Sequence, residues 1–322
     1  MRVLPLVLLL CACGRISFDP REEPDAGEQI PDASAPDGSA PDAAAPDGSA
    51  PDASAPDAGP VYASGPFGPP VEVTELSSAL EDDDPSLTAD MLEIYFKTDR
   101  DGDNDVYRAT RTSVDDRWSA PSRVDELSSS SNDNTPEVSF DGLTIHLASD
   151  RGGGGVEIYR STRASRSDPW EAPVRVDELS SSLADLAAAM DEARLALVMT
   201  RLDAAATDAD LFVANRATVA EPWSAPVAID ELNTMMHEAD AVLDTRGLLL
   251  FFTRTAGGTG GRDLVLAERP TVDAAFGAAT PLTELNTDEL EEDPWISPDL
   301  SVIYFSRQTS GERNIYRATR PL

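Results

Sequence analysis

The chain contains few of the residue types that carry nucleophilic or metal-assisted catalysis. It has two histidines and two cysteines in 322 residues, with 25 lysines and arginines against 59 aspartates and glutamates. His146 and His237 have neither a cysteine partner nor metal-ligand spacing, so no zinc site is predicted. No Gly-x-Ser-x-Gly elbow, phosphate-binding loop or dinucleotide fingerprint occurs where a strand and a helix would support it. Catalytic motifs are therefore scarce.

Positive charge is also scarce. The formal net charge of −34 and a pI near 4.1 argue against nucleic acid or an anionic membrane surface as a partner. A cationic partner, a metal ion or a neutral ligand remains compatible with this charge. An acidic surface can also serve only to keep a protein soluble.

The first residues read as a secretory signal. The apolar run Val3–Leu10 is too short to cross a bilayer and remain there. Residues 10–13, Leu-Cys-Ala-Cys, resemble the bacterial lipobox, which implies that residues 1–12 are removed and that Cys13 carries a lipid. Gly14 follows the cysteine, and the resemblance to enterobacterial sorting then implies the outer membrane, facing the periplasm or the cell surface. The alternative is a plain signal peptide with two incidental cysteines.

Residues 13–60 are expected to form a tether. From Pro31 the sequence repeats a five-residue unit of the type PDASA, without aromatic or branched aliphatic residues. Such a segment cannot bury apolar surface, so a disordered, extended spacer is predicted. The alternative is a binding motif for a proline-reading module.

One stretch recurs through the rest of the chain. The copies are FGPPVEVTEL from Phe67, WSAPSRVDEL from Trp118, WEAPVRVDEL from Trp170, WSAPVAIDEL from Trp223 and FGAATPLTEL from Phe276. Their glutamates are Glu75, Glu126, Glu178, Glu231 and Glu284, at steps of 51, 52, 53 and 53 residues. A period of this length and regularity is typical of a repeat architecture.

Each repeat contains short strand patterns. One is an apolar segment such as EIYFKTDR at 93–100, and the next alternates apolar and polar residues, as in DVYRATR at 105–111. With an innermost strand around Pro85, Pro136, Ala188, Ala241 or Pro294 and a strand from the WSAP stretch, each unit has four strands, as a propeller blade does.

The phased segments, including Ser-Pro-Asp-Leu at 297–300 before IYFSR and IYRATR, resemble the WD40-like repeats of the TolB type. The resemblance covers Phe67–Leu322 and implies a propeller used for protein association in the periplasm.

The boundaries of the repeats predict how the ring closes. The sequence stops after the third strand of the fifth unit, while an unattached WSAP-type strand stands at Phe67–Leu76. If that strand completes the last blade, residues 61–322 form a closed, all-β, five-bladed propeller without exposed edges. A monomer is expected.

The phased aromatic residues are predicted to pack between neighbouring blades. The alternative is a stacking platform for carbohydrate. They are Phe67, Trp118, Trp170, Trp223 and Phe276.

Acidic residues recur with the same phase, seven positions after each repeated glutamate. They are Asp82, Asp133, Asp185, Glu238 and Glu291. At the channel rim they would form an acidic face able to bind a partner or a cation, with His237 in one of its loops. The alternative is that each carboxylate pairs with the arginine at the end of a second strand and holds the blades together. His146 lies within a strand pattern and is expected to be packing.

One loop, residues 99–105, is a candidate calcium site. Alternate acids surround a glycine, with Asp99, Asp101, Asp103 and Asp105 as the oxygen ligands. The pattern departs from an EF-hand because the twelfth position holds Thr110.

Two hypotheses for function follow from the sequence. The first is a non-catalytic lipoprotein of the cell envelope whose acidic loop face binds an envelope protein or a polysaccharide. The second is a glycoside-processing enzyme that uses paired carboxylates on the central face, as some five-bladed propellers do. An enzyme of this kind needs two facing carboxyl groups, one with a raised pKa.

Overall fold

The computed structural model describes residues 61–255, 261–309 and 311–322. The predicted signal segment, Cys13 and the tether lie outside these residues. Within them the secondary structure consists of strands and turns. This part of the chain has no helix of the length and hydrophobicity that crossing a membrane requires.

The described residues form twenty strands, grouped as five antiparallel sheets of four. In chain order they are β1 (Val71–Glu72), β2 (Asp82–Leu87), β3 (Glu93–Thr98), β4 (Asp105–Thr110), β5 (Ser122–Arg123), β6 (Asp133–Val138), β7 (Thr144–Ser149), β8 (Glu157–Thr162), β9 (Val174–Arg175), β10 (Asp185–Met190), β11 (Ala196–Leu202), β12 (Ala209–Asn215), β13 (Val227–Ala228), β14 (Glu238–Leu243), β15 (Leu249–Thr255), β16 (Arg262–Glu268), β17 (Thr280–Pro281), β18 (Glu291–Ile296), β19 (Val302–Thr309) and β20 (Glu312–Thr319).

Each sheet is one blade. Blades 1 to 4 are β2–β5, β6–β9, β10–β13 and β14–β17, and blade 5 is ordered β18-β19-β20-β1. The strand from the N-terminal side of the ring thus completes the last blade. The five-bladed, all-β propeller with this closure is confirmed.

The closure rests on the backbone of β1 and on the residues around it. Val71 pairs with Arg317 and Glu72 with Tyr316, and the Val73 N–H donates to the Ile315 carbonyl at 2.9 Å. The Phe67 N–H donates to the Glu284 carboxylate of blade 4 at 3.1 Å. The edge of β20 is therefore covered.

The fourth strand of each blade is shorter than the WSAP pattern predicts. It has two residues, as in β5 at Ser122–Arg123. Proline immediately precedes or occupies this strand, and proline cannot donate to a ladder. The aromatic residue lies before the strand and is buried, with Trp118 6% exposed and Phe67 4% exposed.

The core lies between blades, because the second strands are buried on both faces. In β3, Ile94, Tyr95 and Phe96 have no exposed surface.

We call the end of the ring where the chain enters the innermost strands the entry face. The loops joining second and third strands emerge there too. The opposite end, where innermost strands turn into second strands, is the hairpin face.

All five innermost strands are bulged at the same place. The pairing with the second strand shifts register after the second residue, and the third residue has positive φ. These third residues are Asp84, Thr135, Ala187, Asp240 and Asp293, with φ between 43° and 55°. A bulge turns a side chain away from its ladder position. It places one such residue from each blade around the central channel.

Candidate functional site

The five phased carboxylates predicted at the rim are fully buried inside their blades. Each is the first residue of an innermost strand and pairs with an arginine of its own blade, which lies near the end of the second strand or two residues beyond it. The pairs are Asp82 with Arg100, Asp133 with Arg151, Asp185 with Arg201, Glu238 with Arg254 and Glu291 with Arg307. The pairing with arginine expected as the alternative is confirmed, but each pair lies within one blade and does not join neighbouring blades. These carboxylates do not form a free acidic ring.

The same pairs also fix the loops of the entry face. Each acid accepts the main-chain N–H of the residue four positions earlier, as Glu291 does from Thr287 at 2.9 Å. Each arginine donates to the carbonyl of the repeated leucine, as Arg254 does to Leu232 at 2.7 Å. The acid, the arginine and the entry loop therefore form one closed network in every blade.

The third residues of the innermost strands link neighbouring blades through side-chain acceptors. Asp293 accepts the Asp84 N–H at 3.3 Å, and Asp84 accepts the Thr135 N–H at 3.3 Å. The Thr135 hydroxyl accepts the Ala187 N–H at 3.1 Å. The Asp240 carboxylate lies beside that of Asp293. Side-chain acceptors from blades 5, 1 and 2 thus form a series of hydrogen bonds around the channel.

Blade 3 interrupts this side-chain ring because Ala187 has no acceptor. The Asp240 N–H is bonded instead by the Thr200 hydroxyl of β11 at 3.0 Å. The channel is consequently asymmetric, with carboxylates from blades 4, 5 and 1 and uncharged side chains from blades 2 and 3.

Crowding of these carboxylates raises their pKa values. Burial, with the Asp293 carboxylate beside them, holds the pKa of Asp84 and of Asp240 well above the usual range. Burial also raises the pKa of Glu137, on β6, to about 8. These side chains are partly exposed. The Glu137 carboxyl group is thus expected to be protonated near neutral pH.

A second charged cluster lies where blades 4, 5 and 1 meet at the entry face. Arg313 contacts Glu292 and Asp83 at 3.1 and 3.2 Å, and Lys97 reaches Asp83 at 2.9 Å. Arg262 of blade 4 pairs with Glu292. Burial raises the pKa of Asp83 to about 6 despite these cations. The cluster joins three blades by ion pairs.

The candidate calcium loop does not direct its carboxylates toward one point. Asp99 accepts the Glu81 N–H at 3.1 Å, Asp101 bonds the Tyr107 hydroxyl, and Asp105 is held by Arg123 through two bonds of 2.8 Å. In residues 61–255, 261–309 and 311–322, no three His, Cys, Asp or Glu side chains are arranged to hold a metal ion.

The two histidines occupy different environments. His146 has no exposed surface, and burial lowers its pKa to about 3, so it is neutral packing as expected. His237 is half-buried on the entry face, where burial and the nearby Arg262 lower its pKa to about 4. It is uncharged at neutral pH and adds no cation to the acidic loops.

The phased aromatic residues are covered by arginine. In each blade a second repeated arginine lies over the ring at 4.0–4.5 Å from its centre. The pairs are Arg111 with Trp118, Arg163 with Trp170, Arg216 with Trp223, Arg269 with Phe276 and Arg320 with Phe67. The aromatic rings are 4% to 8% exposed. Packing between blades is confirmed, and no ring face is open for a sugar.

Cavities lie in the grooves between neighbouring blades. The groove of blades 3 and 4 holds about 630 Å³, against about 400 Å³ between blades 5 and 1, 510 Å³ between blades 1 and 2 and 320 Å³ between blades 2 and 3. Its floor includes Val198, Val213, Ile229 and Leu243.

Sequence reasoning missed the channel carboxylates and the groove between blades 3 and 4. Asp84, Asp240 and Asp293 stand nine residues after the repeated glutamates, but blades 2 and 3 hold Thr135 and Ala187 there. This position therefore recurs with the repeat period, but it does not hold a carboxylate in every blade.

No protein-family model matches the chain, and no curated protein matches it. Among solved structures, the fold is similar to TolB from Acinetobacter baumannii, with 15% identity, a TM-score of 0.50, and coverage of 77% of this chain and 56% of TolB. The chain thus spans 56% of the TolB chain it matches.

Two glycoside-processing enzymes share the fold over their whole length. The endo-arabinase from Bacteroides thetaiotaomicron VPI-5482 has 13% identity and a TM-score of 0.53, covering 80% of this chain and 98% of the enzyme. The α-L-arabinofuranosidase from Podospora anserina has 12% identity and a TM-score of 0.52, covering 82% and 98%. At these identities the similarity defines a fold class, the five-bladed propeller.

Proposed function

We propose that this chain is a non-catalytic binding protein of the bacterial cell envelope, whose entry face binds a basic partner protein. A lipid on Cys13 would anchor it to the outer membrane, and residues 13–60 would act as the spacer. The resemblance of the repeats to those of the TolB type and the similarity of the fold to TolB support a place in the envelope.

The distribution of charge on the entry face carries this proposal. The arginines of that face are paired with carboxylates, as Arg262 and Arg313 are with Glu292. Exposed carboxylates remain in its loops. They are Asp101, Asp203, Asp288 and Glu289. Unpaired surface charge of one sign attracts and orients a partner of the opposite sign.

Neutralising that face tests the proposal. A variant with Asp101→Asn, Asp203→Asn, Asp288→Asn and Glu289→Gln should release captured envelope proteins at lower salt than the wild type. The matched control neutralises four exposed acids elsewhere, through Asp115→Asn, Glu171→Gln, Glu192→Gln and Glu221→Gln. Equal salt dependence of both variants and the wild type would contradict a basic partner on the entry face.

A glycoside-processing activity is the second candidate, because Asp84 and Asp240 have raised pKa values beside Asp293. Against it, Asp84 and Asp293 already accept backbone N–H groups of neighbouring blades. Hydrolysis of an aryl arabinofuranoside that Asp293→Asn abolishes would support the enzyme. Equal rates for the wild type and this variant would favour the binding protein.

A further inference from the structure

The five grooves between blades differ in one residue of the third strand. In the grooves of blades 5 and 1, 1 and 2, and 2 and 3, that residue is an arginine, namely Arg317, Arg108 and Arg160. At the equivalent ladder positions, blade 3 has Val213 and blade 4 has Leu266. Two grooves therefore lack the long side chain that enters the other three.

One of those two grooves is covered by the chain itself. Residues 61–67 run across the junction of blades 4 and 5 with a bend at Gly65, where φ is 84°, and the Ala63 N–H donates to the Asp299 carbonyl at 2.8 Å. Ala63 is 3% exposed and packs in the core cluster shared by these blades. Tyr62 lies 4.2 Å from the Arg246 guanidinium. An aromatic residue and a small residue together fill this junction.

The other groove, between blades 3 and 4, has no such cover from the described residues. Its cavity of about 630 Å³ is bounded by the hairpin of blade 3 at Ala193 and Leu195 and the hairpin of blade 4 at Arg246. Arg246 stands three residues after its innermost strand, as Asp299 does in blade 5. The Arg246 carbonyl accepts no hydrogen bond within the described part of the chain.

We propose that the groove between blades 3 and 4 binds a short segment of a partner protein, with an aromatic residue followed by a small one. The segment would lie as residues 61–67 lie in the next groove, and one of its N–H groups would donate to the Arg246 carbonyl. Its side chains would cover Val213 and Val198, as the arginine stems do elsewhere. This site is on the hairpin side of the ring and is independent of the entry face.

The peptide VYASGPFG, copied from residues 61–68, is the probe. Its binding to the full chain is measured by fluorescence anisotropy, up to millimolar concentration because a short peptide makes a small interface. Val213→Arg introduces the arginine that blades 1, 2 and 5 have at this position and should weaken binding at least tenfold. The control Val174→Arg adds the same charge at an exposed position of blade 2 and should change it less than twofold.

A cross-link locates the peptide independently of these variants. A photoreactive phenylalanine replaces its tyrosine, and attachment is mapped by mass spectrometry. Attachment to the hairpins around Leu195 or Arg246, blocked in a folded Val213→Arg protein, supports the site. Ala193→Trp, at an exposed hairpin residue, gives a second blocking variant if Val213→Arg fails to fold.

Four results would overturn the proposal, three of them in the peptide experiments. They are absence of peptide binding at millimolar concentration, equal binding by Val213→Arg and wild type, and attachment around Asp299, where the peptide would have displaced residues 61–67. Self-association of the chain that depends on Val213, without peptide binding, would also overturn it in favour of a second copy.

Discussion

Asp185 illustrates how single residues of the repeat hold a blade together. Its fully buried carboxylate accepts Arg201 Nε and the Ser181 N–H, both at 2.6 Å. Asp185→Ala leaves the Arg201 guanidinium without its carboxylate partner, and the Arg201 side chain is only 15% exposed to water. We expect the free energy of unfolding to fall by about 3–5 kcal/mol, measured by urea denaturation.

The matched control is an exposed ion pair of blade 2. Asp177 pairs with Arg175, and its side chain is 80% exposed. Asp177→Ala should cost less than about 1 kcal/mol because water screens such pairs. Similar losses in both variants would contradict a special role for the buried carboxylates.

Glu137 should make stability depend on pH. Burial raises its pKa in the folded chain to about 8, from 4.5 for an ordinary glutamate. A raised carboxyl pKa gives stability that is fully present below pH 4.5 and is lost as pH rises through 8. Glu137→Gln removes this loss and keeps an acceptor for Ser86, which donates to Glu137 at 3.1 Å.

The expected result is a variant equal to the wild type at pH 4 and more stable at pH 8. The gain should be a few kcal/mol, since one pKa unit is worth about 1.4 kcal/mol, and the partial exposure of Glu137 favours the lower part of that range. Urea unfolding at several pH values measures it, with Glu221→Gln as an exposed control. A pH-independent difference between Glu137→Gln and wild type would refute the assignment.

Sequence phase predicted some of these residues and not others. The acid seven positions after each repeated glutamate recurs in all five blades, so its pairing with arginine was predictable as an alternative. The channel carboxylates were not, because their position depends on a bulge and is Thr135 or Ala187 in two blades. A functional residue that does not recur in every blade cannot be found from the repeat period.

At the scale of elements, loop 99–105 should be indifferent to calcium. Asp99, Asp101 and Asp105 bond the Glu81 N–H, Tyr107 and Arg123, so they cannot surround one ion without breaking these contacts. We expect the thermal midpoint to be the same in calcium and in chelator. A ligand that binds the folded state must raise the midpoint, so a calcium-dependent rise lost in Asp101→Asn with Asp103→Asn would show that the loop rearranges into a site.

Strand patterns predicted the first three strands of each blade well, because buried second strands read as apolar runs. The fourth strand was overestimated, since the WSAP stretch combines a buried aromatic cap with a two-residue strand. Its proline was the signal that the pairing is short.

At the scale of the whole molecule, the repeat period predicts the number of blades and the closure, but not which groove stays open. That depends on Val213 and on where residues 61–67 lie, which is a tertiary property. The same segment and β1 close the ring.

The ring should depend on that closure for both stability and solubility. A protein lacking residues 1–76 loses Phe67, which is 4% exposed, and all the pairing of β1 with β20. Loss of one buried phenylalanine side chain alone costs about 3–5 kcal/mol, and the exposed edge of β20 invites pairing with other chains. We expect a lower thermal midpoint and aggregates in sedimentation velocity. A protein lacking only residues 1–60 keeps residues 61–67 and β1 and is the control. Equal thermal midpoints and equal sedimentation for the two truncations would show that the ring does not need this strand.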